Sequence, residues 1–207
     1  MKRTVSNADL GDFLESIGFE VDTHIRYKGD TNCYLDTMAM GNFTFTDSAG
    51  TTRGIGLTFT DPPTQYTFEW FNLKNGGLIF KFSPTNTVDH PFVFCAIEND
   101  DNSISYLFRS SEFNDDYVYF DDGTGNPRVI NMISGQNASN ANIALIGQVF
   151  DQDSSFLTDV YYLIASPSLA FNSTYIFELN GTSYACGMSR ATSDAGKGAR
   201  LCFAIEN

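Results

Sequence analysis

What most constrains this chain is how short its apolar stretches are. From Gly41 onward they recur as Gly54–Thr60, Tyr66–Leu73, Leu78–Phe82, Phe92–Ile97, Tyr117–Phe120, Ala144–Phe150, Tyr161–Ala165, Tyr175–Leu179 and Ala199–Ile205, and Gly, Pro, Asn, Asp and Ser fill the gaps. Runs of this length, rich in aromatic and β-branched residues and bounded by turn formers, are strands. The pattern predicts an all-β protein of sandwich-like antiparallel sheets with one short N-terminal helix. It specifies no activity.

The totals narrow the class further. A chain of 207 residues makes one large β domain or two small ones. With 42% hydrophobic and 18% charged residues it can bury a core and is not disordered. Nineteen Phe and ten Tyr suit the half-buried surface of a pleated sheet. The net charge of −13, with 12 Lys and Arg scattered along the chain, opposes binding to nucleic-acid phosphates and to anionic membranes. Acidity of this kind serves solubility, with a cation or a basic partner as the alternative. Met1-Lys2-Arg3 is not followed by the apolar run of a secretory signal, and no segment approaches the ~20 apolar residues of a membrane span. Synthesis in a cytosol is therefore expected. The Asn-x-Ser/Thr triplets at Asn42, Asn137, Asn172 and Asn180 read as chance matches.

Residues 1–40 read as a helix and a connecting segment, and 41–207 as the β-sandwich domain. The polar stretch Ser134–Asn142 is the place where two sheet units would divide. Leu10, Phe13, Leu14 and Ile17 fall at i, i+3, i+4, i+7, which predicts a helix over Asn7–Ile17, capped by Ser6 or Asn7 and stopped by Gly18. That apolar face either covers a sheet of its own domain or docks on a neighbouring subunit, so these four residues are the candidate interface. Asn75-Gly76-Gly77 and Asn180-Gly181 predict tight hairpins. Ala96-Ile97-Glu98-Asn99 recurs as Ala204-Ile205-Glu206-Asn207, which reads as recurrence of good strand residues ahead of a duplication. The second copy closes the chain as a strand.

Residues suited to chemistry are sparse. Cys33, Cys95, Cys186 and Cys202 form no CxxC pair and read as reduced core cysteines, with one or two disulfides as the alternative in a secreted chain. His24 and His90 have no evident nucleophile and orienter; a concave pocket holding either beside a carboxylate would revive an enzyme reading. Asp194–Gly198 lacks the first Gly and the Ser/Thr of a phosphate loop. Asp115-Asp116, Asp121-Asp122-Gly123 and Asp151-x-Asp153-x-Ser155 offer oxygens to calcium, but Phe156 and Tyr162 break the EF-hand pattern, and solvated turn acids are expected. Tyr66, Phe68 and Trp70 share one strand face, as core or as a sugar platform. No catalytic residue, metal ligand or cofactor is assigned.

Tyr175-Ile-Phe-Glu-Leu-Asn-Gly-Thr-Ser-Tyr184, followed by a Gly/Ser-rich loop and Ala199-Arg-Leu-Cys-Phe-Ala-Ile205, resembles the small β-rich structural proteins of tailed-bacteriophage particles. The resemblance covers about thirty residues plus the acidic, Asn/Gly/Ser/Phe-rich style of the chain. It implies a non-enzymatic virion component, made in the host cytoplasm, whose partners are copies of itself and other virion proteins. Tail or head–tail region is favoured over capsid decoration. The alternative is a carbohydrate- or surface-binding β-sandwich, with or without calcium, which requires the Tyr66/Phe68/Trp70 face to be exposed.

Overall fold

Period-two alternation and short runs become, among the described residues, three antiparallel sheets and one helix. The computed structural model describes residues 1–37, 43–54, 64–84, 92–108, 117–131, 144–150, 156–164, 174–186 and 199–207. In chain order the elements begin with β1 (Lys2–Ser6), α1 (Leu10–Ser16), β2 (Phe19–Val21), β3 (Ile25–Tyr27), β4 (Tyr34–Thr37), β5 (Phe43–Thr46) and β6 (Thr52–Gly54). They continue with β7 (Gln65–Asn72), β8 (Gly77–Pro84), β9 (Phe92–Glu98), β10 (Ile104–Phe108), β11 (Tyr117–Asp121) and β12 (Arg128–Asn131). The remainder are β13 (Ala144–Phe150), β14 (Phe156–Ile164), β15 (Tyr175–Leu179), β16 (Thr182–Cys186) and β17 (Ala199–Ile205). The N-terminal sheet has the order β2-β3-β4-β5-β6, the central sheet β1-β7-β8-β9-β10-β11-β12, and the C-terminal sheet β13-β14-β17-β16-β15.

The central sheet is covered on both faces, which explains why its strands read as nearly continuous apolar runs. Phe80 stands opposite Phe94, and Ile79 opposite Cys95. Phe68, Phe80, Phe82, Phe94 and Phe108 face the N-terminal sheet and its Phe19, Phe43 and Phe45. Ile79, Val93, Cys95 and Leu107 face the other way, against Val160, Ala185 and Phe203 of the C-terminal sheet. A run that fills two opposed cores has no polar face to alternate with.

Helix α1 starts later than its apolar spacing predicts. Residues 2–6 are instead an edge strand, with Val5 opposite Tyr66, and the Met1 ammonium donates to the Trp70 carbonyl at 2.8 Å. The Ser6 hydroxyl donates to the Asp9 carboxylate at 2.6 Å and so anchors the strand-to-helix turn. Gly18, at φ +104°, ends the helix in a conformation that favours glycine.

The apolar face of α1 is used within the chain. Leu10, Phe13 and Leu14 are buried and Ile17 packs against the same core; the Phe13 ring lies 4.7 Å from Phe68 and 5.2 Å from Trp70. The assignment of these four residues to a subunit interface is corrected accordingly. A helix of two turns is held by tertiary packing, and here the central sheet supplies it.

A second correction concerns the boundary at residue 40. Residues 19–37 are three strands, and Leu35 of β4 pairs with Phe45 of β5, so that line would cut the N-terminal sheet. Ser134–Asn142 lies outside the described residues; sheet membership changes between β12 and β13 on either side of it.

The repeated Ala-Ile-Glu-Asn segments meet at one place. Asn75-Gly76 turns the chain between β7 and β8, and the hairpin tip is gripped from two sides. On one side the Glu98 N–H donates to the Gly76 carbonyl. On the other, the Glu206 N–H donates to the Asn72 carbonyl and the Lys74 N–H to the Ala204 carbonyl. Gly77, at φ +114°, approaches the Ala96 carbonyl too closely to admit a Cβ. Glu98 also accepts from the Lys28 ammonium at 2.6 Å and the Tyr27 hydroxyl at 3.0 Å.

Those partners give the fold an acid-sensitive tie. Burial alone would raise the Glu98 carboxyl, but hydrogen bonds from Lys28 and Tyr27 and the Lys28 charge hold it below its ordinary value of 4.5. The lowered value means that its stabilisation is complete above the unfolded-state value and lost as pH falls through the folded one. Urea midpoints measured from pH 6 downward should therefore fall, and Glu98→Gln should flatten that fall. An unchanged slope in the variant would remove Glu98 from the account.

Candidate functional site

Sheet edges are where a β protein can add a partner strand, so the unguarded ones matter most. Edge strand β1 carries exposed Lys2 and Arg3, which discourage docking. Strands β2 and β6 have three residues each. Strand β12 has four, beginning with Arg128. Strand β13 is broken by register shifts between Leu145 and Gly147 and between Gln148 and Phe150. The exception is β15. It pairs only with β16 among the described residues, its sequence YIFEL has one charge, and Ile176 is 60% and Leu179 42% exposed. Apart from Met1, these are the exposed large hydrophobic residues among those described.

The turn chemistry explains why β15 is regular enough to serve. Asn180 and Gly181 both adopt positive φ, 52° and 74°, as a two-residue hairpin requires. The register then runs without interruption from Leu179↔Thr182 to Tyr175↔Cys186. On one face Phe177 stacks on Tyr184 at 5.4 Å. Glu178 and Ile176 face the other way.

His24 sits in a concavity of about 560 Å³ between α1 and the β2–β3 turn, lined by Leu10, Val21, Asp22, Thr23 and Asp36 among others. Its Nδ1 is 2.8 Å from an Asp36 oxygen, and its ring lies 4.0 Å from that of Tyr34. The histidine-beside-carboxylate arrangement that an enzyme reading demands is therefore present. The same contact also joins two strands. Strands β3 and β4 share the single register pair Ile25↔Leu35, and His24 and Asp36 flank that pair as a side-chain clasp. The His24 N–H, and after it Arg26, donate to Asp22 Oδ1, which holds the Asp22 carboxyl below its usual range. His90 lies outside the described residues.

A second concavity, about 460 Å³, forms where three turns meet: Gly29–Asn32, Asp101–Ser103 and Asp122–Thr124. Asp121, which precedes the third of these turns, and Asp47 are fully buried carboxylates. Asp121 accepts hydrogen bonds from the Ser48 N–H (2.7 Å), the Ser48 hydroxyl (2.6 Å) and the Gly123 N–H (2.8 Å). Asp47 accepts from the N–H groups of Ala49 and Thr51 and from Arg53, whose guanidinium lies 4.3 Å from the centre of the Tyr119 ring. The expectation of solvated turn acids is thus corrected at Asp121, which ties two loops together from inside. Burial, and next the Asp121 charge, push the Cys33 thiol well above its ordinary range; burial and then Asp30 do the same to the Tyr106 hydroxyl, which donates to Asp30 at 2.7 Å. Among the described residues no group of three or more His, Cys, Asp or Glu is placed to hold a metal ion. Asp115-Asp116, Asp151–Ser155 and Asp194–Gly198 lie outside the described residues.

The aromatic face is core. Tyr66 and Phe68 are buried, and Trp70 is partly buried against the same cluster, so these rings form no sugar platform. All four cysteines are buried thiols. No helix among the described residues is long and apolar enough to cross a membrane.

Comparison with family models, with curated proteins and with solved structures gives no match to any of them.

Proposed function

We propose that this protein is a structural subunit, acting by contact and not by catalysis, that joins other subunits through the free edge of β15. The observation that carries the reading is that, among the described residues, β15 is the edge strand that joins an uninterrupted register to exposed large apolar side chains. Strand addition there would satisfy its outward N–H and C=O groups and cover Ile176 and Leu179. The net charge of −13 would keep subunits soluble and apart until that contact forms. Together with the resemblance of residues 175–205 to tailed-phage structural proteins, this supports a virion component, in the tail or head–tail region ahead of capsid decoration.

The test is light scattering over a concentration range. The native chain should form a defined oligomer, and the double substitution Ile176→Lys, Leu179→Lys should shift the midpoint of association upward at least tenfold in concentration while leaving the far-UV circular dichroism unchanged. A wild-type chain that stays monomeric throughout, or a variant that associates equally well, would count against assembly through β15.

A further inference from the structure

We propose that Cys186 and Cys202 form a cross-strand disulfide site, a two-electron modification site that closes β16 onto β17. The two residues are register partners in adjacent antiparallel strands. Directly opposite residues share a face of the sheet, and both side chains are fully buried in one cluster with Tyr184 and Ala204.

Register alone does not make a disulfide; the kind of pair decides. Antiparallel partners alternate between hydrogen-bonded pairs and closer, non-hydrogen-bonded pairs. The two-residue turn makes Leu179↔Thr182 a hydrogen-bonded pair of the β15–β16 hairpin. Counting along β16, Thr182, Tyr184 and Cys186 direct their backbone groups toward β15, leaving Ser183 and Ala185 to bond β17. Strand β17 gives the same answer independently. The Ala204 carbonyl and the Glu206 N–H are engaged by Lys74 and Asn72, on the side away from β16. Tyr184↔Ala204 and Cys186↔Cys202 are therefore the non-hydrogen-bonded pairs, with a Cα separation of about 4.5 Å. That falls within the roughly 4.4–6.8 Å span that disulfides require. The other thiols lie in different surroundings: Cys95 stands between Ile79 and Leu107, and Cys33 contacts Asp121.

In the folded reduced chain the pair is protected. Burial, and next the neighbouring Cys186, raise the Cys202 thiol, so little thiolate is present. Oxidation belongs to the folding chain or to a chain folding in an oxidising medium. With glutathione disulfide as oxidant, one cysteine thiolate attacks it and releases one glutathione. The second cysteine thiolate then attacks the mixed disulfide and releases another. Two cysteine thiols are oxidised and one glutathione disulfide is reduced.

The experiment unfolds the full chain, refolds it in a glutathione redox buffer, and maps the alkylated, unreduced digest of the fraction with native circular dichroism. The expected product is one disulfide joining the peptides of Cys186 and Cys202, a mass lower by two hydrogens, and alkylated Cys33 and Cys95. Cys33→Ser should still form the bond, while Cys186→Ser should leave its three cysteines alkylated. The oxidised protein should have a higher urea midpoint than its reduced form. Four alkylated thiols, or a bond to Cys33 or Cys95, would overturn the assignment.

Discussion

Replacing Asp121 with alanine is expected to destabilise the protein by about 3–5 kcal/mol, because a buried carboxylate whose partners stay behind is among the costliest groups to remove. Asp121 is fully buried and joins the end of β11 to the loop after β5 through the Ser48 N–H and hydroxyl, while also closing its own turn on the Gly123 N–H. Alanine leaves those donors without their acceptor. Part of the loss is offset, since the carboxylate no longer has to be desolvated and Ser48 and Gly123 are only partly buried. Asparagine supplies one acceptor oxygen but turns an amide toward a donor, so Asp121→Asn should fall between wild type and alanine. Urea unfolding of the three proteins checks the order. An alanine variant within about 1 kcal/mol of wild type would mean that water takes over the role of the carboxylate.

Asp121 also shows where sequence reading stops. Asp121-Asp122-Gly123 announces a turn, and a turn is there. The partner that makes its first acid a structural centre is Ser48, 73 positions away. Local chemistry was legible throughout: the Asn75-Gly76-Gly77 and Asn180-Gly181 hairpins, the apolar stripe of α1, and the alternation that puts Tyr66 and Phe68 on one face. What escaped was set by distant pairing. Strand β1 carries no periodic signal of its own and exists because Lys2–Ser6 lie against Gln65–Glu69. Strands of three residues, such as β2 and β3, are too short to display a period. The candidate site divides the same way. Tyr175–Leu179 is recognisable as a strand, but that it ends a sheet depends on which other strands flank it.

The two concavities illustrate a related point about acids and histidine. An imidazole beside a carboxylate suits proton transfer, yet the same contact also joins two strands that share little backbone pairing. Where β3 and β4 have one register pair, the side-chain clasp has mechanical work to do. The three-turn cleft is similar. Its rim is acidic, but Asp121, the buried carboxylate next to its third turn, is already engaged by Ser48 and the Gly123 N–H. The least explained surface, in physical terms, is the exposed apolar edge.

Phe80→Ala should cost about 3–5 kcal/mol, the usual range for emptying a large aromatic site in a packed core. Phe80 is fully buried in the middle of the central sheet. Its ring lies 5.3 Å from Phe94, 5.8 Å from Phe68 and 5.9 Å from Phe19, the last across the layer in β2. The cavity would be walled by rings from two sheets, each held by its own neighbours, so collapse into it is restricted. Phe80→Leu keeps much of the volume and should cost less. The matched control is Ile176→Ala. That residue is 60% exposed, and its removal should change stability by less than about 0.5 kcal/mol. Urea unfolding of both variants, beside light scattering of both at concentrations where their folded fractions exceed nine-tenths, separates core from interface. Phe80→Ala should lower the unfolding midpoint and leave association intact, while Ile176→Ala should weaken association at constant midpoint. If Ile176→Ala proved as destabilising as Phe80→Ala, β15 would belong to the core and the assembly edge would have to be sought elsewhere.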